Sequence, residues 1–134
     1  MSARLLYLDS SALVKLIVLE PETAALRASL QEWPDRVSSV LARVEVLRAL
    51  ARARVPAADR RQADEVLARV GLVRLDDTIL GVAAALRPIE LRSLDAVHLA
   101  TALSLGGDLA ALVAYDARLQ AAARAADLRV LSPR

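Results

Sequence analysis

The punctuation of this chain restricts its fold more than any other feature. Short runs dense in Leu, Val and Ala alternate with longer stretches of helical periodicity, and Pro or Gly separates many of them. Alternation of this kind belongs to α/β domains whose helices cover a largely parallel sheet. Strands are expected at residues 5–8, 37–39, 72–75, 111–115 and 128–131. Helices are expected from just after Asp9 to about Leu19, from Pro21 to about Gln31, and over 41–53, where Val40, Val44, Leu47 and Ala51 form an apolar stripe. Further helices are expected from Pro56 to a C-terminal cap at Gly71, over 78–86, over 93–105 before Gly106 and Gly107, and over 117–126. No repeat or linker divides the 134 residues, so a single α/β domain over 1–134 with about five strands and about seven helices is expected.

Composition limits the chemistry. Aromatic residues make up 2% and Phe is absent, so Leu, Val, Ile and Ala must build the core. Cysteine is absent, which removes disulfides, zinc–thiolate sites and cysteine nucleophiles together. No apolar run approaches the ~18–20 residues that span a bilayer, so no membrane association and a cytoplasmic location are expected. Lys15 is the only lysine, and the formal net charge of +2 leaves arginine carrying nearly all the positive charge. A composition this rich in Ala, Arg, Leu and Val also follows from GC-rich coding, so charge alone does not identify a nucleic-acid partner.

Four acids stand apart, each the sole carboxylate of its neighbourhood: Asp9, Glu45, Asp95 and Asp116. Asp9 and Asp116 fall at the carboxyl ends of expected strands, Asp95 in the first turn of a helix, and Glu45 at the edge of a helix face beside Leu41 and Ala49. In an open parallel sheet the carboxyl ends of the strands face the ligand crevice. Carboxylates converging there repel one another unless they share cations, and hard oxygen ligands suit Mg²⁺ or Mn²⁺ acting on a phosphate. Each acid also has an ordinary structural duty open to it: a helix cap for Asp9 and Asp116, a helix-dipole partner for Asp95, and a solvated pair with Arg48 for Glu45.

The stretch Leu6-Tyr7-Leu8-Asp9-Ser10-Ser11-Ala12-Leu13-Val14-Lys15-Leu16, followed by Leu19-Glu20-Pro21, resembles the opening strand and helix of PIN-domain toxins of the VapC type. Ser93-Leu94-Asp95-Ala96-Val97-His98-Leu99-Ala100-Thr101-Ala102 resembles that family's third acidic motif, and Ala114-Tyr115-Asp116-Ala117-Arg118-Leu119 its fourth. Arg43-Val44-Glu45-Val46-Leu47-Arg48-Ala49-Leu50 is similar to the second, more loosely. The resemblance implies a Mg²⁺- or Mn²⁺-dependent endoribonuclease with Asp9, Glu45, Asp95 and Asp116 as its acidic quartet and metal ligands, and with Ser11 supporting Asp9 by a hydrogen bond. It further implies an RNA substrate, a homodimer, and a cognate antitoxin that neutralises the toxin. One position departs from the pattern: Ala114 stands where many relatives carry a hydroxyl, which puts the orientation of Asp116 in question.

Other polar residues are expected to serve the fold. His98 is expected to be a buried, hydrogen-bonded structural residue, Asp76 and Asp77 to be helix caps, and Glu20 to belong to a helix junction. Arg43, Arg48, Arg52, Arg54, Arg60 and Arg61 form a loose basic tract, read first as a solvated face and second as an RNA contact. Two competing functions remain: a PIN-like module that binds a partner without catalysis, and a receiver-like phospho-acceptor domain. The second needs a late lysine, and the only one stands at position 15.

Overall fold

The computed structural model describes residues 3–134, so residues 1 and 2 of the expected domain lie outside the described part. Along the chain run β1 (Leu5–Leu8), α1 (Ser10–Lys15), α2 (Thr23–Leu30), β2 (Asp35–Ser39), α3 (Leu41–Arg52), α4 (Ala57–Ala68) and β3 (Gly71–Val73). Then follow α5 (Asp77–Ala85), α6 (Ser93–Ser104), β4 (Leu109–Val113), α7 (Ala117–Ala125) and β5 (Val130–Leu131). The five strands form one sheet in the order β3-β2-β1-β4-β5, and every pairing is parallel. None of these helices is long and apolar enough to cross a membrane.

Strand alternation divides the core. Leu6, Leu8, Ala111 and Val113 face one side, where they pack with Leu13, Leu26, Val46, Leu50 and Ala63 of α1 to α4. Tyr7, Leu112 and Ala114 face the other side and pack with Leu99 and Ala102 of α6 and with Leu119 and Ala122 of α7. Each fully buried Leu contributes roughly 1.5–3 kcal/mol, so helices on both faces are what make an all-parallel sheet of this size stable. Strand order reverses direction of growth at the β1–β4 pair, which opens a crevice beyond the carboxyl ends of those two strands.

Several element boundaries differ from the sequence expectation. The first helix ends at Lys15 rather than Leu19, because the buried Thr23 hydroxyl donates to the Lys15 carbonyl at 2.7 Å and draws the chain into a turn. The same turn takes in Pro21 and Glu22, so α2 starts at Thr23. Gly71 is not a helix cap. Arg69 ends α4, and Gly71 opens β3 opposite Val37, where an added Cβ would lie 3.4 Å from a Val37 methyl. Strand β4 runs over Leu109–Val113, because its ladder ends with its neighbour β1 at the pair Leu8 and Val113. The third helix buries Ala42, Val46 and Leu50 instead of the expected stripe, leaving Val44 and Leu47 exposed. Both faces of that helix are apolar enough to pack, and the face placing Glu45 beside α1 is the one used.

Candidate active site

The crevice at the β1–β4 reversal is an open cleft of about 290 Å³ lined by Asp9, Ser10, Ser11, Glu45, Arg92, Asp95, His98, Tyr115 and Asp116. All four isolated acids line it. Asp9 directly follows β1 and is its most buried acid, at 4% exposure. Its Oδ1 accepts the Ala12 backbone N–H at 2.9 Å, capping α1, and the Ser11 hydroxyl at 2.7 Å. Both bonds fall on one oxygen, so Oδ2 has no protein donor among the described residues. Burial pushes the Asp9 carboxyl above the ordinary range; the two hydrogen bonds and His98 oppose that rise, while nearby Asp95 adds to it.

Glu45 comes from α3, on the other side of α1. Its Oε1 accepts the Ser10 hydroxyl at 2.6 Å and lies 2.6 Å from His98 Nε2. Half-burial pulls this carboxyl upward, yet hydrogen bonds from His98 and Ser10, with the charges of His98 and Arg92, outweigh burial and hold it below the ordinary range. His98 is buried, as expected, but its partners belong to the site. Its Nδ1 lies 2.7 Å from the Tyr7 hydroxyl, so a hydrogen-bonded chain runs from Tyr7 in the sheet through His98 on α6 to Glu45 on α3. Nε2 carries its hydrogen toward the carboxylate, which can only accept.

Asp116 caps α7 by accepting the backbone N–H groups of Arg118 and Leu119 on Oδ1, at 2.8 and 3.0 Å. These two bonds orient Asp116 without a hydroxyl at position 114. Ala114 itself is fully buried in the apolar cluster with Tyr7 and Leu119. Asp95 lies in the first turn of α6 and receives Arg92 Nε on Oδ2 at 2.9 Å; Arg92 Nη2 reaches Asp116 Oδ2 at 3.3 Å. The paired carboxylates push the Arg92 guanidinium pKa further up.

The sequence does not mark Arg92 and Ser10 as cleft residues, or Tyr7 as the partner of His98, and it points to a structural role for His98. The available signals were Arg92 three residues before Asp95, His98 three after it, and the doubled serine following Asp9. Of the expected caps, Asp76 holds α5 through the Ile79 N–H at 2.8 Å, whereas Asp77 is already the first residue of the helix. Glu20 pairs with Lys15 at the α1–α2 junction at 3.5 Å. All six arginines of the basic tract are exposed.

Carboxylate oxygens of this number and hardness are in kind a donor set for Mg²⁺ or Mn²⁺. As the side chains stand, no group of three or more acidic or histidine residues among those described is close enough to hold a metal ion. The expectation that the quartet already lies within reach of one shared cation is therefore not met by these positions. A guanidinium already bridges Asp95 and Asp116.

A parallel α/β sheet with acids gathered at its strand-order reversal defines a class, and the PIN-domain family model matches residues 6–125. The chain belongs to the PIN-domain family. Within it, the chain is similar to Ribonuclease VapC46 of Mycobacterium tuberculosis, 49% identical over 128 residues that cover 96% of this chain and 97% of that protein. It is also similar to Ribonuclease VapC35 of the same species, 42% identical over 136 residues with 96% and 97% coverage. A solved structure described as a toxin–antitoxin complex from Klebsiella pneumoniae shares the fold, with a TM-score of 0.72 at 21% identity over 99% of this chain and 98% of that one.

Proposed function

We propose that this protein is a Mg²⁺- or Mn²⁺-dependent endoribonuclease that hydrolyses RNA phosphodiesters at Asp9, Glu45, Asp95 and Asp116, and that it acts as the toxin of a toxin–antitoxin pair in the cytoplasm. The observation that carries this reading is the gathering of four carboxylates from four separate elements along one cleft at the strand-order reversal. Capping accounts for Asp9 and Asp116 one at a time, but it does not require Glu45 or Asp95 to line the same cleft. The names of the relatives, ribonucleases, support RNA as substrate.

The four acids would hold the ion, which when bound supplies activation of water and neutralisation of phosphate charge. The chain's own contribution is positioning. Ser11 and the Ala12 N–H fix Asp9 through one oxygen and leave the other for the cleft. His98 and Ser10 keep Glu45 ionised and fixed, and the backbone N–H groups of Arg118 and Leu119 hold Asp116 in position. Among the described residues the only aromatic rings along the cleft are Tyr115 and the buried His98, so phosphate rather than base contacts dominate binding.

The purified protein is expected to cut total RNA with Mn²⁺ and to stop with chelator; a chain that cuts equally well in chelator would refute metal dependence. As partners we propose a cognate antitoxin, supported by the Klebsiella complex of the same fold, and a second copy of the chain. The homodimer is supported by a groove between α5 and α6 whose rim carries Leu80, 45% exposed, and Ile89, 73% exposed. Sedimentation at micromolar concentration is expected to give a dimer, and a monomer throughout would remove it.

A further inference from the structure

We infer that Arg92 is a tethered occupant of the cation site, holding Asp95 and Asp116 together in the metal-free protein and having to leave them before a divalent ion can bind. The inference rests on the metal-dependent reading above. Its geometric basis is the choice forced on one oxygen. Asp116 Oδ1 is already taken by two backbone N–H groups, so Oδ2 is the oxygen left for a cation, and Arg92 Nη2 holds it at 3.3 Å. On Asp95, Oδ2 is held by Nε and Nη2, both at 2.9 Å. A guanidinium and a divalent ion repel each other and cannot share these oxygens.

Arg92 also has the properties of a displaceable partner. Its side chain is 65% exposed, while those of Asp95 and Asp116 are 15% and 37% exposed. Ion pairs with so much solvent contact are weak, enough to satisfy two neighbouring carboxylates and too little to compete with a divalent ion. The residue is anchored where it can leave without disturbing the fold: it precedes α6 in extended backbone, and only its carbonyl joins the helix, accepting the Ala96 N–H at 2.9 Å.

The test is calorimetric titration of Mn²⁺ into the full-length parent, Arg92→Gln and Arg92→Lys, with melting temperatures taken in chelator and in Mn²⁺. Arg92→Gln is expected to bind Mn²⁺ about three- to tenfold more tightly than the parent and to gain more melting temperature from the ion. Arg92→Lys keeps the charge but not the planar fork, and its affinity should fall between the two. Equal or weaker Mn²⁺ binding by Arg92→Gln, with the parent binding normally, would overturn the inference alone. Lysine indistinguishable from arginine, beside a tighter glutamine variant, would overturn the bridging contact in favour of a distant charge effect. A parent that binds no Mn²⁺ would overturn the metal site and this inference with it.

Discussion

Asp9→Asn is expected to lower Mn²⁺-dependent RNA cleavage by about a hundredfold or more while leaving the metal-free protein at least as stable as the parent. The two effects separate because Asp9 does two jobs with two oxygens. Its Oδ1 accepts from Ala12 and Ser11, and the asparagine carbonyl can take over both bonds, since Asn caps helices about as well as Asp. Its Oδ2 would become an amide nitrogen, which donates and cannot ligate a cation. Burial works against the charged form at this position, and Asp95 works in the same direction, so removing the charge relieves a cost of the metal-free fold. The melting temperature in chelator should hold or rise, and the extra stability that Mn²⁺ confers on the parent should vanish. Asp95→Asn should lose cleavage similarly but show little change in chelator, because the charge it deletes is already paired with exposed Arg92. Full activity in Asp9→Asn would sink the four-carboxylate mechanism.

The sequence displayed the acids more clearly than it displayed what surrounds them, and the reason is contact distance along the chain. Asp9 and Asp116 are caps of the helices that directly follow them, so local reading found both their positions and their duties. The chain from Tyr7 through His98 to Glu45 joins residues 91 and 53 positions apart, and no local pattern reports such contacts. His98 looked structural because it is: it is buried at 2%, and only the fold reveals that one of its partners is a cleft carboxylate. Boundaries failed for a similar reason. Thr23 ends α1 from eight residues further on, and Gly71 serves close packing against Val37 on the adjacent strand rather than a local cap. The α3 stripe was ambiguous in principle, since Val40, Val44, Leu47 and Ala51 repeat at helical spacing as well as Ala42, Val46 and Leu50 do.

His98→Ala is expected to reduce cleavage roughly 10–100-fold and stability by about 2–4 kcal/mol, the second through a cavity and an unpaired Tyr7 hydroxyl in the core. Loss of stability alone would follow from any buried deletion, so the informative readout is kinetic. Without Nε2, Glu45 retains only the Ser10 hydroxyl at 2.6 Å, and its carboxylate gains freedom at the edge of the cleft. As a positioning residue that does not itself reach the RNA, His98 should be felt in kcat and in Mn²⁺ affinity, with KM for RNA nearly unchanged. Tyr7→Phe provides the graded control. It keeps the ring packing and removes only the 2.7 Å bond to Nδ1, so it should cost about 1–3 kcal/mol and shift kcat in the same direction by less. Measured well below both melting transitions, a folded His98→Ala protein with parental kcat and Mn²⁺ affinity would confine His98 to the core. The opposite pattern, kcat falling in order from parent to Tyr7→Phe to His98→Ala at constant KM, requires that the buried chain from the sheet fix the carboxylate at its far end.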